Sequence, residues 1–187
     1  VIVETNLFLT GAVGVGKSTL LRKVLDRFRG KYGGFETFPV CSAGRVRGYA
    51  LKPFDEDFSD EWPLVARRTS RNFAPLEETF NDLGTKLLQQ ARKEMPDVVV
   101  MDEIGFFETR AEAFHGAVMS CLESSLFVFG VLKKCDAPLP RKIRQYPGVL
   151  VVEVTSRNRE ILPDLLEAFV RHGDAARKAL FSFMEII

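Results

Sequence analysis

Residues 11–18 read GAVGVGKS, a glycine-rich octet that follows the apolar run Asn6 to Thr10 and precedes a stretch with apolar residues at Leu20, Leu21, Val24, Leu25 and Phe28. Strand, glycine loop and amphipathic helix, in that order, form the setting in which the pattern GxxxxGK[ST] binds phosphate. Glycine lets the backbone wrap an anion with its N–H groups turned inward, and the helix N-terminus adds the positive end of its dipole. Gly11, Ala12, Val13, Gly14, Val15, Gly16, Lys17, Ser18 and the adjoining Thr19 are therefore expected to bind a nucleoside triphosphate. Lys17 would reach the β- and γ-phosphates, and the Ser18 hydroxyl would take one position on Mg²⁺. A simple glycine turn before a helix would give Lys17-Ser18 no reason to follow Gly16.

A loop of this kind calls for a carboxylate at the end of another buried strand, on the metal side of the phosphates. Val98-Val99-Val100-Met101-Asp102-Glu103 supplies a continuous apolar run closed by two acids. Asp102 is the candidate metal-side residue. Glu103, one position further, is placed to orient or deprotonate a water that attacks the γ-phosphate, which favours hydrolysis over transfer to a sheltered acceptor. The plainer role for Glu103 is to cap the next turn or pair with a nearby cation.

The rest of the chain fits around these two segments. Gly34 to Val40 and Arg45 to Phe54 alternate as strands around the small residues Cys41 to Gly44, which suggests an antiparallel hairpin. The acidic stretch Asp55 to Pro63 reads as a solvated loop. Helical spacing runs from Pro75 to Glu94, from Thr109 to Ser124, from Pro140 to Gln145, from Asn158 to His172 and from Asp174 to Ile187; strand-like runs lie at Leu126 to Leu132 and Val149 to Val154. Alternating strands and helices imply an α/β fold: a P-loop NTPase with a RecA-like, mostly parallel sheet flanked by helices and an antiparallel hairpin insertion. With 187 residues and 46% hydrophobic content, one domain over residues 1–187 is expected.

Composition narrows the function. Lys and Arg number 26 against 25 Asp and Glu, a net charge of +1, so no global basic field points to nucleic acid as a partner. No apolar run is long enough to span a bilayer, and the first strand leads into the glycine loop instead of a cleavage site. Cys41, Cys121 and Cys135 lack the spacing of a disulfide framework or metal site. A cytoplasmic protein without membrane contact is expected. His115 and His172 have no ligand partner at useful spacing.

Two further segments invite a guanine-specific reading: Asp102-Glu103-Ile104-Gly105 as DxxG and Lys133-Lys134-Cys135-Asp136 as a variant of [NT]KxD. Lysine at the first position of the second motif can only donate, so it cannot replace the Asn or Thr that secures that segment. Beside a hydrolase, the same loop would also suit a small-molecule kinase or a nucleotide-dependent binding module.

Taken together, FLTGAVGVGKSTL, Gly34-Phe35 with Thr37, Gly44-Arg45 and Gly48-Tyr49, VVVMDEIGFFE and VTSRNREILP resemble the small P-loop nucleoside-triphosphatases, a family with a cancer-related human member and thermophilic prokaryotic relatives. The resemblance covers about Leu7 to Phe169. It implies Mg²⁺-dependent hydrolysis of several nucleoside triphosphates with relaxed base choice. By resemblance, Lys17, Ser18, Asp102 and Glu103 hold phosphate, metal and water, with Glu108 in the segment beyond. Asn158 and Arg159 line the base pocket, and Arg71 is a catalytic cation facing the phosphates. The chain departs from the family at Leu132-Lys133-Lys134, where a His-Arg pair is usual, at Phe38-Pro39, where an acidic pair is usual, and at Cys41, where a basic residue is usual.

Overall fold

The computed structural model describes residues 6–172; the helical reading of Asp174 to Ile187 lies outside the described residues. Eight strands form one sheet: β1 (Asn6–Thr10), β2 (Tyr32–Ser42), β3 (Arg45–Pro53), β4 (Leu64–Arg68), β5 (Phe73–Pro75), β6 (Val98–Ile104), β7 (Val128–Leu132) and β8 (Val149–Glu153), in the spatial order β5-β4-β3-β2-β6-β7-β1-β8. From β8 to β2 every pairing is parallel; from β2 to β5 every pairing is antiparallel. The hairpin expected from the sequence is β2–β3. Its first strand pairs in parallel with β6, so it is built into the main sheet, and β4 and β5 extend the antiparallel part further than expected.

Helices cover both faces because the central strands are apolar on both. Along β1, Leu7 and Leu9 face α1 (Lys17–Leu25) and α6 (Leu162–His172), packing with Leu21, Val24, Leu162 and Leu166. Phe8 faces the opposite layer, where Phe35, Met101, Phe114 and Leu139 meet. That layer holds α2 (Glu77–Thr79), a π-helical turn (Phe80–Gly84), α3 (Thr85–Glu94), α4 (Glu112–Leu122) and α5 (Pro138–Arg144). Strands buried on both sides lose the period-two polarity of half-exposed strands, which is why β1, β6 and β7 read as unbroken apolar runs.

Two helices are shorter than the periodicity suggested, and the one expected from Pro140 begins at Pro138. The Asn158 to His172 stretch begins with turns and becomes helical only at Leu162, and the Thr109 to Ser124 stretch narrows to Glu112–Leu122. Among the described residues no helix is long and apolar enough to cross a membrane.

Gly34 shows how tightly β2 docks on β6. It has φ of +125°, and a Cβ there would collide with the Val100 carbonyl oxygen. Gly34→Ala is expected to lower the urea midpoint by a stability loss on the order of 2 kcal/mol or more, through the strained φ and the backbone clash together. An unchanged midpoint would show that β2 can retreat from β6 without loss.

Candidate active site

One cross-sheet row locates the site. Val152, Leu9, Val131, Asp102, Glu36 and Lys52 stand side by side on β8, β1, β7, β6, β2 and β3. The five parallel strands of that row all point the same way, so the segments that leave their C-terminal ends collect at one edge, where open α/β sheets bind ligands. The glycine loop comes after Leu9, Lys133 after Val131, and Glu103 after Asp102.

The loop itself is shaped by glycine. Gly14 and Gly16 have φ of +75° and +102°, and a Cβ on Gly11, φ +141°, would run into the Val154 carbonyl. Gly16 caps α1 without a side-chain bond, and the first turn carries no acid. The N–H groups there and the dipole of the helix are thus left for an anion. Lys17 is buried, and its Nζ donates to the carbonyls of Gly11 at 3.2 Å and Ala12 at 2.9 Å. The ammonium sits inside the loop, positioned to exchange carbonyl oxygens for phosphate oxygens.

Ser18 and Asp102, 84 residues apart in the chain, meet at this edge: Ser18 Oγ donates to Asp102 Oδ1 at 2.9 Å. Asp102 is 3% exposed. Burial pushes its carboxyl up to about 7, against the Ser18 hydrogen bond, which pulls it down. A buried carboxylate of this kind needs a cation to ionise fully. Among the described residues no group of three or more acids, histidines or cysteines forms a closed metal cage. Two adjacent hard oxygens fit Mg²⁺, which keeps most of its waters and takes further ligands from phosphate.

Glu103 is less buried, and its Oε2 lies 3.3 Å from Lys133 Nζ. The peptide bond between Asp102 and Glu103 is cis, and the register with β7 shifts between Asp102 and Ile104. Lys133 is held by an aromatic box, its Nζ standing 5.4 Å from the ring centre of Tyr49, 5.0 Å from Phe106 and 4.9 Å from Phe107. The turn beyond β6 is pinned by Glu108, which is 1% exposed and accepts the Gly105 N–H. Burial pushes the Glu108 carboxyl up to about 7, with backbone N–H donors acting against it. The His115 ring contacts the Glu108 carbonyl at 2.8 Å, a structural role in keeping with its lack of ligand partners.

Next to the Ser18–Asp102 pair opens a cavity of about 930 Å³ between α1, the hairpin and the loop after β3. Its inner wall carries Glu36, 3% exposed, paired with Arg22. Lys52, fully buried, stands 3.7 Å from the same carboxylate and donates to the carbonyls of Pro53 and Glu56. Burial lowers the pKa of Lys52, and the Arg22 charge adds to that. Arg22 lies one turn beyond Ser18, over the rings of Phe54 at 4.6 Å and Phe58 at 5.4 Å. Sequence reasoning missed Glu36 and Arg22. The available signal was a lone carboxylate inside the otherwise apolar stretch GGFETF, which burial makes costly unless a cation is paired with it.

On the other flank of α1, a cavity of about 280 Å³ is lined by Val15, Gly16, Thr19, Leu20, Lys23, Arg159, Glu160 and Pro163. Arg159 therefore stands beside the glycine loop, its Nε 3.2 Å from Glu160. Asn158 turns inward instead: its amide donates to the Glu153 carbonyl at 2.8 Å and its oxygen accepts the Thr155 N–H at 2.8 Å. It shapes the loop that carries Arg159. Arg71 is not brought to these groups. It sits on the exposed turn between β4 and β5, three strands away from β6, about 14 Å sideways at the usual strand spacing.

Known proteins share both this sequence pattern and this architecture. A profile of the family described as NTPase matches residues 6–166. The nucleoside-triphosphatase THEP1 of Thermotoga petrophila is 28% identical over 164 residues, covering 84% of this chain and 88% of that protein. THEP1 of Aquifex aeolicus is 26% identical over 178 residues, covering 89% of this chain and 99% of its own. The crystal structure of the Aquifex protein superposes with a TM-score of 0.72 at 25% identity, covering 86% of this chain and 96% of that one. The solution structure of a human cancer-related nucleoside triphosphatase shares the fold with a TM-score of 0.71 at 24% identity, covering 90% and 98%.

Proposed function

The chain belongs to the NTPase family, and we infer that it is accordingly a nucleoside-triphosphate hydrolase, dependent on Mg²⁺ and relaxed in its choice of base. The observation that carries the mechanism is the meeting of Ser18 with Asp102 at 2.9 Å, with Glu103 next to it in the chain and facing Lys133.

The loop N–H groups and Lys17 bind the triphosphate; Lys17 gives up the carbonyls of Gly11 and Ala12 to do so. Ser18 and Asp102 would hold Mg²⁺, which would supply positive charge to stabilise the phosphate charge that develops in the reaction. Glu103 orients a water and takes its proton as the water oxygen bonds to the γ-phosphorus. The bond from that phosphorus to the bridging oxygen breaks, and a nucleoside diphosphate and inorganic phosphate leave. Lys133, held by its three aromatic rings, steadies the Glu103 carboxylate at the sheet edge.

Relaxed base choice is supported by the lining of the smaller cavity. Arg159 and Glu160 are paired with each other, and a guanidinium plane stacks on any base without reading its edge. Phosphate release from ATP, GTP, CTP and UTP is expected to agree within about tenfold, the discrimination that stacking without edge recognition leaves. Chelation of the metal is expected to stop all four. A preference of more than about a hundredfold for one base would reject relaxed choice, and release that persists in excess EDTA would reject the Mg²⁺ role.

A further inference from the structure

The near-even charge of the whole chain hides a local segregation that strand pairing creates. Residues 37–53 and 64–76 contain Arg45, Arg47, Lys52, Arg67, Arg68 and Arg71 and no acid, so the remainder of the chain, 20 basic against 25 acidic residues, is net negative. Pairing of Val40 with Gly48, Gly48 with Arg67 and Arg67 with Ala74 brings these two segments together. This row lies four residues beyond Glu36 on β2, so the basic arm rises about 13 Å past the catalytic row at the usual strand rise. All five arginines are exposed, and no carboxylate of the described residues lies within ion-pair distance of any of them.

Aromatic rings are interleaved with this charge. Arg68 lies over the Phe73 ring at 5.5 Å, Phe73 packs edge-on against Tyr49 at 5.1 Å, and Tyr49 meets Phe107 at 5.3 Å. Arg47 lies two residues before Tyr49 on β3, at the bulge where Gly48 pairs with Val40 and Val46 with Cys41, and the pairing of Gly48 with Arg67 sets it opposite Arg68. The same rings reach Lys133, and Phe106 at the near end is 47% exposed. The surface thus runs without a break from the free arginines to the partner of Glu103.

We propose that this arm binds single-stranded nucleic acid, with Arg47 and Arg68 on the phosphates and the exposed Phe106 ring, backed by the half-buried Tyr49 and Phe73, offered to the bases. Exposed guanidinium groups gathered without carboxylates hold counterions that a polyanion would release, and neighbouring aromatics favour a polynucleotide over an acidic protein, since bases stack on rings and carboxylates do not. Stacking on rings needs unpaired bases, which favours a single strand over a duplex.

The test is fluorescence anisotropy with the full chain and a labelled oligouridylate of about 20 nucleotides, longer than one stacking platform covers. Binding does not require turnover, so its failure is separate from failure of the hydrolase reading. Saturable binding is expected at about 50 mM salt, weakening more than tenfold by about 200 mM as counterions are no longer released at a gain. Arg47→Glu with Arg68→Glu is expected to weaken binding at least about tenfold while phosphate release without oligonucleotide stays at the parent rate. Arg45→Glu with Arg67→Glu provides a second variant should the first fold poorly. Absence of binding at the lower salt, parental affinity in the folded double variants, or stronger competition by polyglutamate than by unlabelled oligouridylate would each overturn the proposal.

Discussion

Glu103→Gln is expected to slow phosphate release by at least ~10²-fold while leaving nucleotide affinity close to that of the parent. The two halves of this expectation come from different parts of the edge. In the proposed mechanism binding rests on the loop amides, Lys17 and Ser18, and the hydrogen bonds of Lys17 and Ser18 do not involve Glu103. The glutamine keeps the size of the side chain at a position 22% exposed, so it leaves no cavity, and its amide oxygen can still accept from Lys133. What it removes is the ability to accept a proton and the charge that faces Lys133. Single-turnover phosphate release and titration with a fluorescent nucleotide measure the two effects separately. Unchanged turnover would remove Glu103 from the reaction, and a matched loss of affinity would make it a binding residue.

Asp102→Asn is expected to act in opposite directions on activity and stability. Turnover should fall to background because a neutral amide is a poor ligand for Mg²⁺. In EDTA without nucleotide, however, the variant should melt higher than the parent at pH 8. Burial raises the Asp102 carboxyl to about 7 in the folded protein, well above an unfolded aspartate, so the folded state binds that proton more tightly. The stabilising effect of the proton is complete below about pH 4 and is lost as the pH rises through about 7. At pH 8 the parent carries a buried, unpaired charge that asparagine lacks, while Ser18 can still donate to the amide oxygen. A gain on the order of a few kcal/mol results, or several degrees in Tm, shrinking towards zero at pH 4. Calorimetry at the two pH values checks it. A constant difference across that range would mean the carboxylate carries no burial cost.

The glycine loop was legible because its chemistry is local. Gly11 to Ser18 carry the unusual φ values, the amides and the ammonium within one contiguous segment, and the strand before and helix after it have their own periodicities. Asp102 and Glu103 were legible for a related reason: an apolar strand of seven residues, Val98–Ile104, announces burial, and acids near its end must sit at an edge. The strands β4 and β5 were not. Leu64–Arg68 has only two buried positions, and Phe73–Pro75 is three residues long with a proline; both exist because β3 offers an open edge to pair with. Arg71 was assigned to the phosphates by resemblance, and that same pairing carries it away from them.

Amino-acid order alone was enough to establish the phosphate-binding loop, the alternation of strands and helices, and the carboxylates that close β6, since each depends on neighbours a few positions away along the chain. Which strands lie together emerged only from three-dimensional packing, and with it the contacts of Ser18 with Asp102, of Lys133 with Glu103, and of Arg22 and Lys52 with Glu36. Those contacts join groups from separate elements, and register across the sheet sets them, a quantity that composition and periodicity do not encode. The same register gathers five arginines into one unopposed arm on a chain whose total charge is +1. Net charge is a sum over the chain, whereas a binding surface depends on where in space the charges fall.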